Sequence, residues 1–293
     1  MNAGGKTTYA NGCALSPSAN DGSGHPEGQP CATLSGMDAV MAAAKAADVV
    51  ILALGLDIKM TNKEGQDRDH GWTGYALPGM QQELARQIAT LGKPTLVVEL
   101  SGMAVGMDYI ASQANWPLLV GGYGGRFGPV ALSQILFGAV SPTGRLPYTV
   151  YPEVWANNTN MTDMGLMPSD HSDGRTYKWY KGKVPAPWLF GEGMTYTNFS
   201  LAVAGAADDT ASSAGGTYTA TVTNTGGVAA AQTVMLFARP VSVPDAPAGP
   251  LPNRQLFDFG RTPTLAPGAS AKLTFTVTSE AVVTGTGIAT RAS

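Results

Sequence analysis

Residues 48–54 read Asp-Val-Val-Ile-Leu-Ala-Leu, and residues 95–100 read Thr-Leu-Val-Val-Glu-Leu. Each stretch is a short apolar run rich in β-branched side chains, which is typical of a strand buried on both faces of a parallel sheet. A shorter run of the same kind, Leu-Leu-Val, occupies residues 118–120 after Pro117. These runs predict the strands of one parallel sheet.

Predicted helices alternate with these strands. Residues 37–47 are rich in alanine, and residues 80–91 and 130–136 carry apolar side chains at helical spacing. Gly92 and Gly138 stand where the second and third of these helices should stop. Alternation of this kind implies a mostly parallel sheet with helices on both faces, so we predict an α/β sandwich.

The composition changes at about residue 200, where alanine, glycine, serine and threonine become frequent. Apolar residues alternate with threonines between 218 and 222, which predicts an all-β module, a small antiparallel sandwich. The stretch 281–293 lacks this alternation, so we expect an incomplete sandwich with an uncovered strand edge at 273–277. We therefore expect two domains, at residues 1–200 and 201–293.

Length and charge exclude several classes of protein. The chain has 293 residues, enough for about two domains. Its 18 basic and 21 acidic residues give a net charge of −3, which predicts no binding to nucleic acid. No apolar run is long enough for a membrane span, and the first residues lack the apolar stretch of a signal peptide. Two cysteines and three histidines are too few for a dedicated Cys/His metal site, so we expect no metal. We expect no other cofactor either.

The two cysteines, Cys13 and Cys31, flank a segment rich in glycine and proline. A disulfide is the expected state if the protein is secreted. Two inert thiols are the alternative.

The segment between the first two predicted strands is the strongest candidate for a site. Residues 55–72 read Gly-Leu-Asp-Ile-Lys-Met-Thr-Asn-Lys-Glu-Gly-Gln-Asp-Arg-Asp-His-Gly-Trp. In open parallel sheets, ligands bind beyond the carboxyl ends of the strands. A loop there with carboxylates, an arginine and a tryptophan fits a binding site. We take Glu64 as the candidate general acid and Asp57, Asp67, Arg68 and Trp72 as candidate substrate-binding residues. The alternative is a solvated surface loop.

Two other segments suggest chemistry less strongly. The glycine-rich stretch 121–126 could cradle phosphate, but it fits neither a Walker motif nor a dinucleotide fingerprint, and we expect a close-packed turn. Ser101 follows the second strand without a nucleophile-elbow motif, and none of the three histidines has an evident orienting acid. A serine hydrolase is therefore not expected.

Several motifs follow one another in a fixed order. They are Gly-Leu-Asp at 55–57, Glu-Gly-Gln-Asp-Arg at 64–68, Leu-Pro-Gly at 77–79, Gly-Lys-Pro at 92–94, Leu-Phe-Gly at 136–138, Pro-Thr-Gly-Arg-Leu-Pro at 142–147, Gly-Arg-Thr-Tyr-Lys-Trp-Tyr at 174–180 and Phe-Gly-Glu-Gly-Met-Thr-Tyr-Thr at 190–197. In this order they resemble the C-terminal part of family 3 glycoside hydrolases, in the β-xylosidase-like branch. The β module resembles the family's fibronectin type III-like domain through residues 222–226 and 265–268.

The resemblance implies exo-acting, retaining hydrolysis of β-linked sugars from plant cell-wall oligosaccharides, and a secreted protein. In the family, a (β/α)₈ barrel with the nucleophilic aspartate precedes these domains, and about 250 residues of barrel do not fit ahead of Thr8. Retaining hydrolysis needs two carboxyl groups about 5–5.5 Å apart, of which this chain offers at most Glu64. We therefore expect a separate or missing barrel as partner, and no turnover by the chain alone.

The acidic loop departs from the family pattern. The branch has two glutamates, two residues apart, and here Asn62 stands at the first position and Glu64 at the second. Which of the two positions belongs to the proton donor stays open. The alternative functions are a non-catalytic carbohydrate-binding or structural remnant and, from the glycine-rich stretch, a protein that binds a phosphate ligand.

Overall fold

The computed structural model describes residues 4–12, 34, 36–56, 75–160, 162–205, 216–239, 250–277 and 291–292. The chain divides into two compact units. The first unit comprises residues 1–133, 150–158 and 184–187, and the second comprises 134–149, 159–183 and 188–293.

The first unit is built on a parallel sheet of order β1-β2-β3. Leu52 pairs with Val97, and Val97 pairs with Leu118. The elements are, in chain order, α1 (Met37–Ala46), β1 (Val50–Gly55), α2 (Gln81–Ala89), β2 (Thr95–Leu100), α3 (Asp108–Ala111), β3 (Leu118–Val120), a 3₁₀ turn (Gly125–Phe127), α4 (Gly128–Leu136) and a 3₁₀ turn (Glu153–Ala156). The predicted parallel α/β arrangement is confirmed.

Strand β1 is buried on one face only, so the prediction of burial on both faces is wrong for this strand. Leu52 and Leu54 are 6% and 4% exposed, whereas Ile51 is 45% exposed. The reason is the strand order, because β1 lies at the edge of the described sheet and β2 lies at its centre. A run of apolar residues looks the same in the sequence for an edge strand and for a central one.

Helices α1 and α2 contact each other. The core face of α2 carries Leu84 and Ile88, which are 6% and 1% exposed. These residues lie four apart, so one helical face holds both. Gly92 follows α2 with φ 60° and Gly138 follows α4 with φ 74°. Both glycines end their helices in the left-handed conformation, as predicted.

The second unit contains two antiparallel sheets of order β4-β5-β8 and β7-β6-β9. Side chains from both sheets form one core, made of Ala220, Val222, Val234, Leu236, Leu265 and Phe275. The elements are α5 (Thr176–Trp179), β4 (Phe199–Gly205), β5 (Gly216–Asn224), β6 (Thr233–Arg239), β7 (Gln255–Arg261), β8 (Ser270–Val277) and β9 (Arg291–Ala292). The predicted all-β module after the α/β region is confirmed.

The C-terminal stretch differs from its prediction in one respect. Arg291 and Ala292 form β9, which pairs with Arg239 and Ala238 of β6. Part of 281–293 therefore does join the sandwich, because backbone hydrogen bonding to a neighbouring strand needs no period-2 apolar pattern. The predicted edge is present, since β8 pairs with β5 alone in the described sheets.

Candidate functional site

The residues that the sequence selects for the site share one segment. All five, Glu64, Asp57, Asp67, Arg68 and Trp72, lie within 57–74, which is outside the described residues. Cys13 and Cys31 also lie outside the described residues. The structure does describe the residues from which this segment leaves and to which it returns.

The segment leaves from the carboxyl end of β1 through Gly55 and Leu56. Gly55 has φ 146°, and a Cβ atom there would lie 2.0 Å from the carbonyl oxygen of Leu100. Only glycine fits, since no side chain can share that space. Leu56 is 5% exposed. Its N–H donates to the Leu100 carbonyl at 2.9 Å, and the Tyr123 hydroxyl donates to the Leu56 carbonyl at 3.2 Å.

The buried side-chain amide of Gln81 binds the backbone at this same point, where the chain leaves β1. The Gly55 N–H donates to Oε1 of Gln81 at 2.8 Å, and Nε2 of Gln81 donates back to the Gly55 carbonyl at 2.9 Å. The same Nε2 also donates to the Pro78 carbonyl at 3.3 Å. Gln81 is 5% exposed. Burial of an amide is tolerated when its donors and acceptor are satisfied, as they are here.

The segment returns at Tyr75 and Ala76. The Gly106 N–H donates to the Tyr75 carbonyl at 2.7 Å, and Ala76 forms a parallel bridge with Gly106. The Tyr75 hydroxyl accepts from the Tyr151 N–H at 3.1 Å. The described residues on either side of 57–74 are thus held by the stretch 100–106, which begins at the end of β2.

An aromatic cluster and two carboxylates stabilise the region around Tyr75, where the chain returns from 57–74. Tyr75 lies edge-on to Trp155, and Trp155 stacks on Tyr151 with ring centroids 4.3 Å apart. The Glu153 N–H donates to the Asp108 carboxylate at 3.1 Å, and the Asp108 N–H donates to the Glu153 carboxylate at 3.2 Å. This reciprocal pairing ties the 3₁₀ turn at 153–156 to α3.

Glu99 is a charged residue buried at the centre of the sheet. It is 1% exposed, and neither carboxylate oxygen has a hydrogen-bond partner among the described residues. Burial raises the pKa of Glu99, and the neighbouring Ser101 hydroxyl opposes the shift. That hydroxyl donates to the Met103 carbonyl at 2.5 Å. Because the Ser101 proton is directed at Met103 and not at Glu99, burial is the dominant influence, and it raises the pKa of Glu99.

The glycine-rich stretch 121–126 packs against the end of β2. The Gly121 N–H donates to the Glu99 carbonyl at 2.8 Å. The ring of Tyr123 lies over Gly102, where a Cβ atom would approach the ring to 2.5 Å. The close-packed turn expected from the sequence is what the structure contains. Ser101 is 2% exposed, which is unsuitable for a nucleophile.

Sequence analysis overlooked Gln81 and Glu99. A glutamate inside an otherwise apolar strand was the available signal for Glu99. Gln81 carries no comparable signal, because a glutamine near a helix start is ordinarily exposed. The described residues include no group of three or more His, Cys, Asp and Glu side chains that could hold a metal ion. No helix in the described part of the chain has the length and apolar character that crossing a bilayer requires.

An open parallel sheet with helices, followed in the chain by an antiparallel sandwich, defines an α/β domain with an appended β module. A match to a known protein family identifies the domain more precisely. Residues 14–197 match the model of the glycosyl hydrolase family 3 C-terminal domain. The chain belongs to this family.

Relatives and solved structures agree with the family. The chain is 35% identical over 267 residues to the probable exo-1,4-β-xylosidase xlnD of Aspergillus fumigatus, covering 84% of this chain and 32% of the relative. A solved family 3 exo-β-xylosidase, XlnD, in complex with a xylobiose aziridine probe, superposes with a TM-score of 0.73 at 29% identity, covering 94% of this chain and 35% of its own. The β-glucosidase of Bifidobacterium adolescentis superposes with a TM-score of 0.66 at 28% identity, covering 84% of this chain and 35% of its own. The chain thus spans about a third of the length of these proteins.

Proposed function

We propose that the chain is the C-terminal part of an exo-acting, retaining β-glycosidase of the β-xylosidase or β-glucosidase kind. Its substrates would be terminal β-linked sugars on plant cell-wall oligosaccharides. One observation carries the proposal: in a family 3 C-terminal domain, the segment with Glu64 leaves and returns at the carboxyl edge of a parallel sheet. The xylosidase and glucosidase names of the relatives supply the substrate class.

Glu64 is the proposed acid/base residue. As general acid it must be protonated near neutral pH, which requires a nearby carboxylate or an apolar surrounding. Asp57, Asp67, Arg68 and Trp72 are the proposed substrate contacts, with polar groups for sugar hydroxyls and an aromatic face for the ring. No cofactor takes part in this chemistry.

The nucleophile is proposed to come from a (β/α)₈ barrel outside this chain. Retaining hydrolysis places two carboxyl groups about 5–5.5 Å apart, one as acid/base and one as nucleophile. The chain spans 32% of its xylosidase relative, which leaves ample length for a barrel in the whole protein. The chain alone should therefore not turn over.

An exposed apolar surface of the first unit supports a barrel partner. Ile51 and Leu100 are 45% and 38% exposed at the sheet, and Tyr123, Phe127 and Val130 beyond β3 are 61%, 73% and 53% exposed. Large apolar side chains that are open to water are candidates for burial against a partner. We propose that the barrel covers them.

The β module is proposed to be an incomplete fibronectin type III-like domain at 201–293, after an α/β domain at 1–200. The order β4-β5-β8 corresponds to strands A-B-E of such sandwiches, and the pairing of β6 with β9 corresponds to C with F. The strand after F has no counterpart in the described residues. Secretion is proposed from the family resemblance alone.

The test is hydrolysis of nitrophenyl β-xyloside by the chain alone and by the chain mixed with the barrel portion of the Aspergillus fumigatus relative. We expect no turnover by the chain, turnover by the mixture, and a loss of about a hundredfold or more in Glu64→Gln. Glu83→Gln, on α2 and paired with Arg86, is the matched control and should keep full activity.

The outcomes separate the rival functions. Turnover by the chain alone would refute the need for a barrel. Binding of xylobiose by the mixture without turnover would favour the second candidate, a non-catalytic carbohydrate-binding or structural protein, which the missing nucleophile makes the main alternative. Equal losses on good and poor leaving groups in Glu64→Gln would mean that Glu64 positions the sugar and does not donate the proton.

A further inference from the structure

Gln81 is a buried polar residue whose side chain binds the backbone at a distant point in the chain, beside the candidate site. It is the first residue of α2, and its amide donates to the Pro78 carbonyl just before the helix. It forms two hydrogen bonds with Gly55, at 2.8 and 2.9 Å. No titratable side chain of the described residues hydrogen-bonds to it.

These two bonds satisfy the backbone N–H and C=O of Gly55 at the open edge of β1. In a parallel ladder, the N–H and C=O of one residue point to the same side. The Leu56 N–H donates to Leu100 across the β1–β2 pair, so the N–H and C=O of Gly55 point away from β2. The Gln81 amide offers one acceptor and one donor there, as a neighbouring strand would.

We infer that Gln81 is a positioning residue for the loop that carries Glu64. It holds Gly55, two residues before Asp57, in its unusual backbone conformation and so fixes the backbone at the carboxyl end of β1. Gln81 itself touches no substrate. The inference rests on the proposed function for its catalytic consequence, but the anchoring can be measured in the chain by itself.

The first experiment measures amide hydrogen exchange of Gly55 and Leu56 in the chain. Gln81→Leu removes both bonds at similar size, and exchange at Gly55 should rise about tenfold or more, the equivalent of one lost hydrogen bond. Gln87→Leu is the matched control, since Gln87 lies on the same helix and donates to Glu83 at 2.7 Å. The control should leave Gly55 unchanged.

A conservative variant gives a second, independent readout. In Gln81→Glu, a neutral carboxylic acid can accept from the Gly55 N–H and donate to the Gly55 carbonyl, whereas a carboxylate can only accept. The protection factor of Gly55 should therefore match the native protein near about pH 4 and fall toward about pH 8. This fall should be clearly larger than any change in the native protein or in Gln87→Glu over the same pH range.

The third readout is activity of the assembly with the barrel. Gln81→Leu should lower kcat by a larger factor than it raises KM. The loss of kcat should be larger for substrates with poor leaving groups, because the departure of such groups depends most on protonation by the acid. Gln81→Glu should recover activity at low pH. If Gly55 exchanges at the native rate in Gln81→Leu, the inference is wrong, whatever the activity. It is also wrong if Gly55 exchange changes in Gln81→Leu while the kcat of an active assembly stays the same. If Glu64→Gln also leaves activity intact, the proposed function fails separately.

Discussion

Replacing Glu99 by glutamine should remove a pH dependence from the stability of the first unit. Glu99 is 1% exposed, and neither carboxylate oxygen has a partner in the described part of the chain. Burial raises its pKa in the folded protein above the value in the unfolded chain. Between those two pKa values the folded state binds the proton and the unfolded state does not.

The sign follows from this difference. Where the folded state binds more protons, the free energy of unfolding falls as the pH rises. The slope reaches at most about 1.4 kcal/mol per pH unit, beginning near the ordinary glutamate pKa of about 4.3 and ending at the raised pKa of Glu99. Glutamine has no proton to lose, so Glu99→Gln should lack this part of the slope.

Amide exchange of Val97 and Val98 in β2 is a suitable assay, because both residues are buried and neighbour Glu99. The free energy of opening should fall with rising pH in the native protein and stay flatter in Glu99→Gln. Glu83→Gln, at a partly exposed position on α2, serves as the control and should retain the native slope. Equal slopes in the native protein and Glu99→Gln would show that Glu99 is ionised and paired, and would refute the reasoning.

Three further outcomes can be checked on the same chain. Gly55→Ala should destabilise the first unit by about 3 kcal/mol or more in thermal unfolding, since its Cβ would lie 2.0 Å from the Leu100 carbonyl; a smaller loss would mean that β1 shifts easily. Cys13 and Cys31 should form a disulfide under oxidising conditions, seen by non-reducing mass spectrometry as a loss of about two daltons, and two free thiols in secreted protein would contradict this. Amides of β8, an edge strand, should exchange faster than those of the central strand β2, and the reverse order would show that the edge is covered.

Much of the α/β region follows from local patterns in the sequence. The apolar run at 95–100 coincides with β2, and helical spacing between 80 and 91 contains α2. Such segments are predictable because burial and chain stiffness act over neighbouring residues. The exposed face of β1 was not predictable, because edge or central position depends on which strands pair, and that is decided by residues far apart in the chain.

The contacts around the candidate site were likewise predictable only in part. The position of the loop at the carboxyl end of β1 could be predicted, since parallel strands place their connections there. The bonds from Gln81 to Gly55 could not, because they join residues 26 apart in the sequence. Likewise, the approach of Leu100 that requires glycine at 55 is visible only once β1 and β2 are paired.

In the proposed enzyme, the first unit and the barrel contribute differently to the function of Glu64. Gln81, Leu100 and Gly106 hold the described residues on either side of 57–74 within the first unit, so these contacts need no partner. The protonation of Glu64 is different, because a general acid needs an environment that raises its pKa, and a nearby carboxylate is the strongest such influence. The nucleophilic carboxylate of the barrel would be that neighbour. Assembly would then bring the nucleophile and at the same time make Glu64 an acid at neutral pH, so that neither part catalyses hydrolysis without the other.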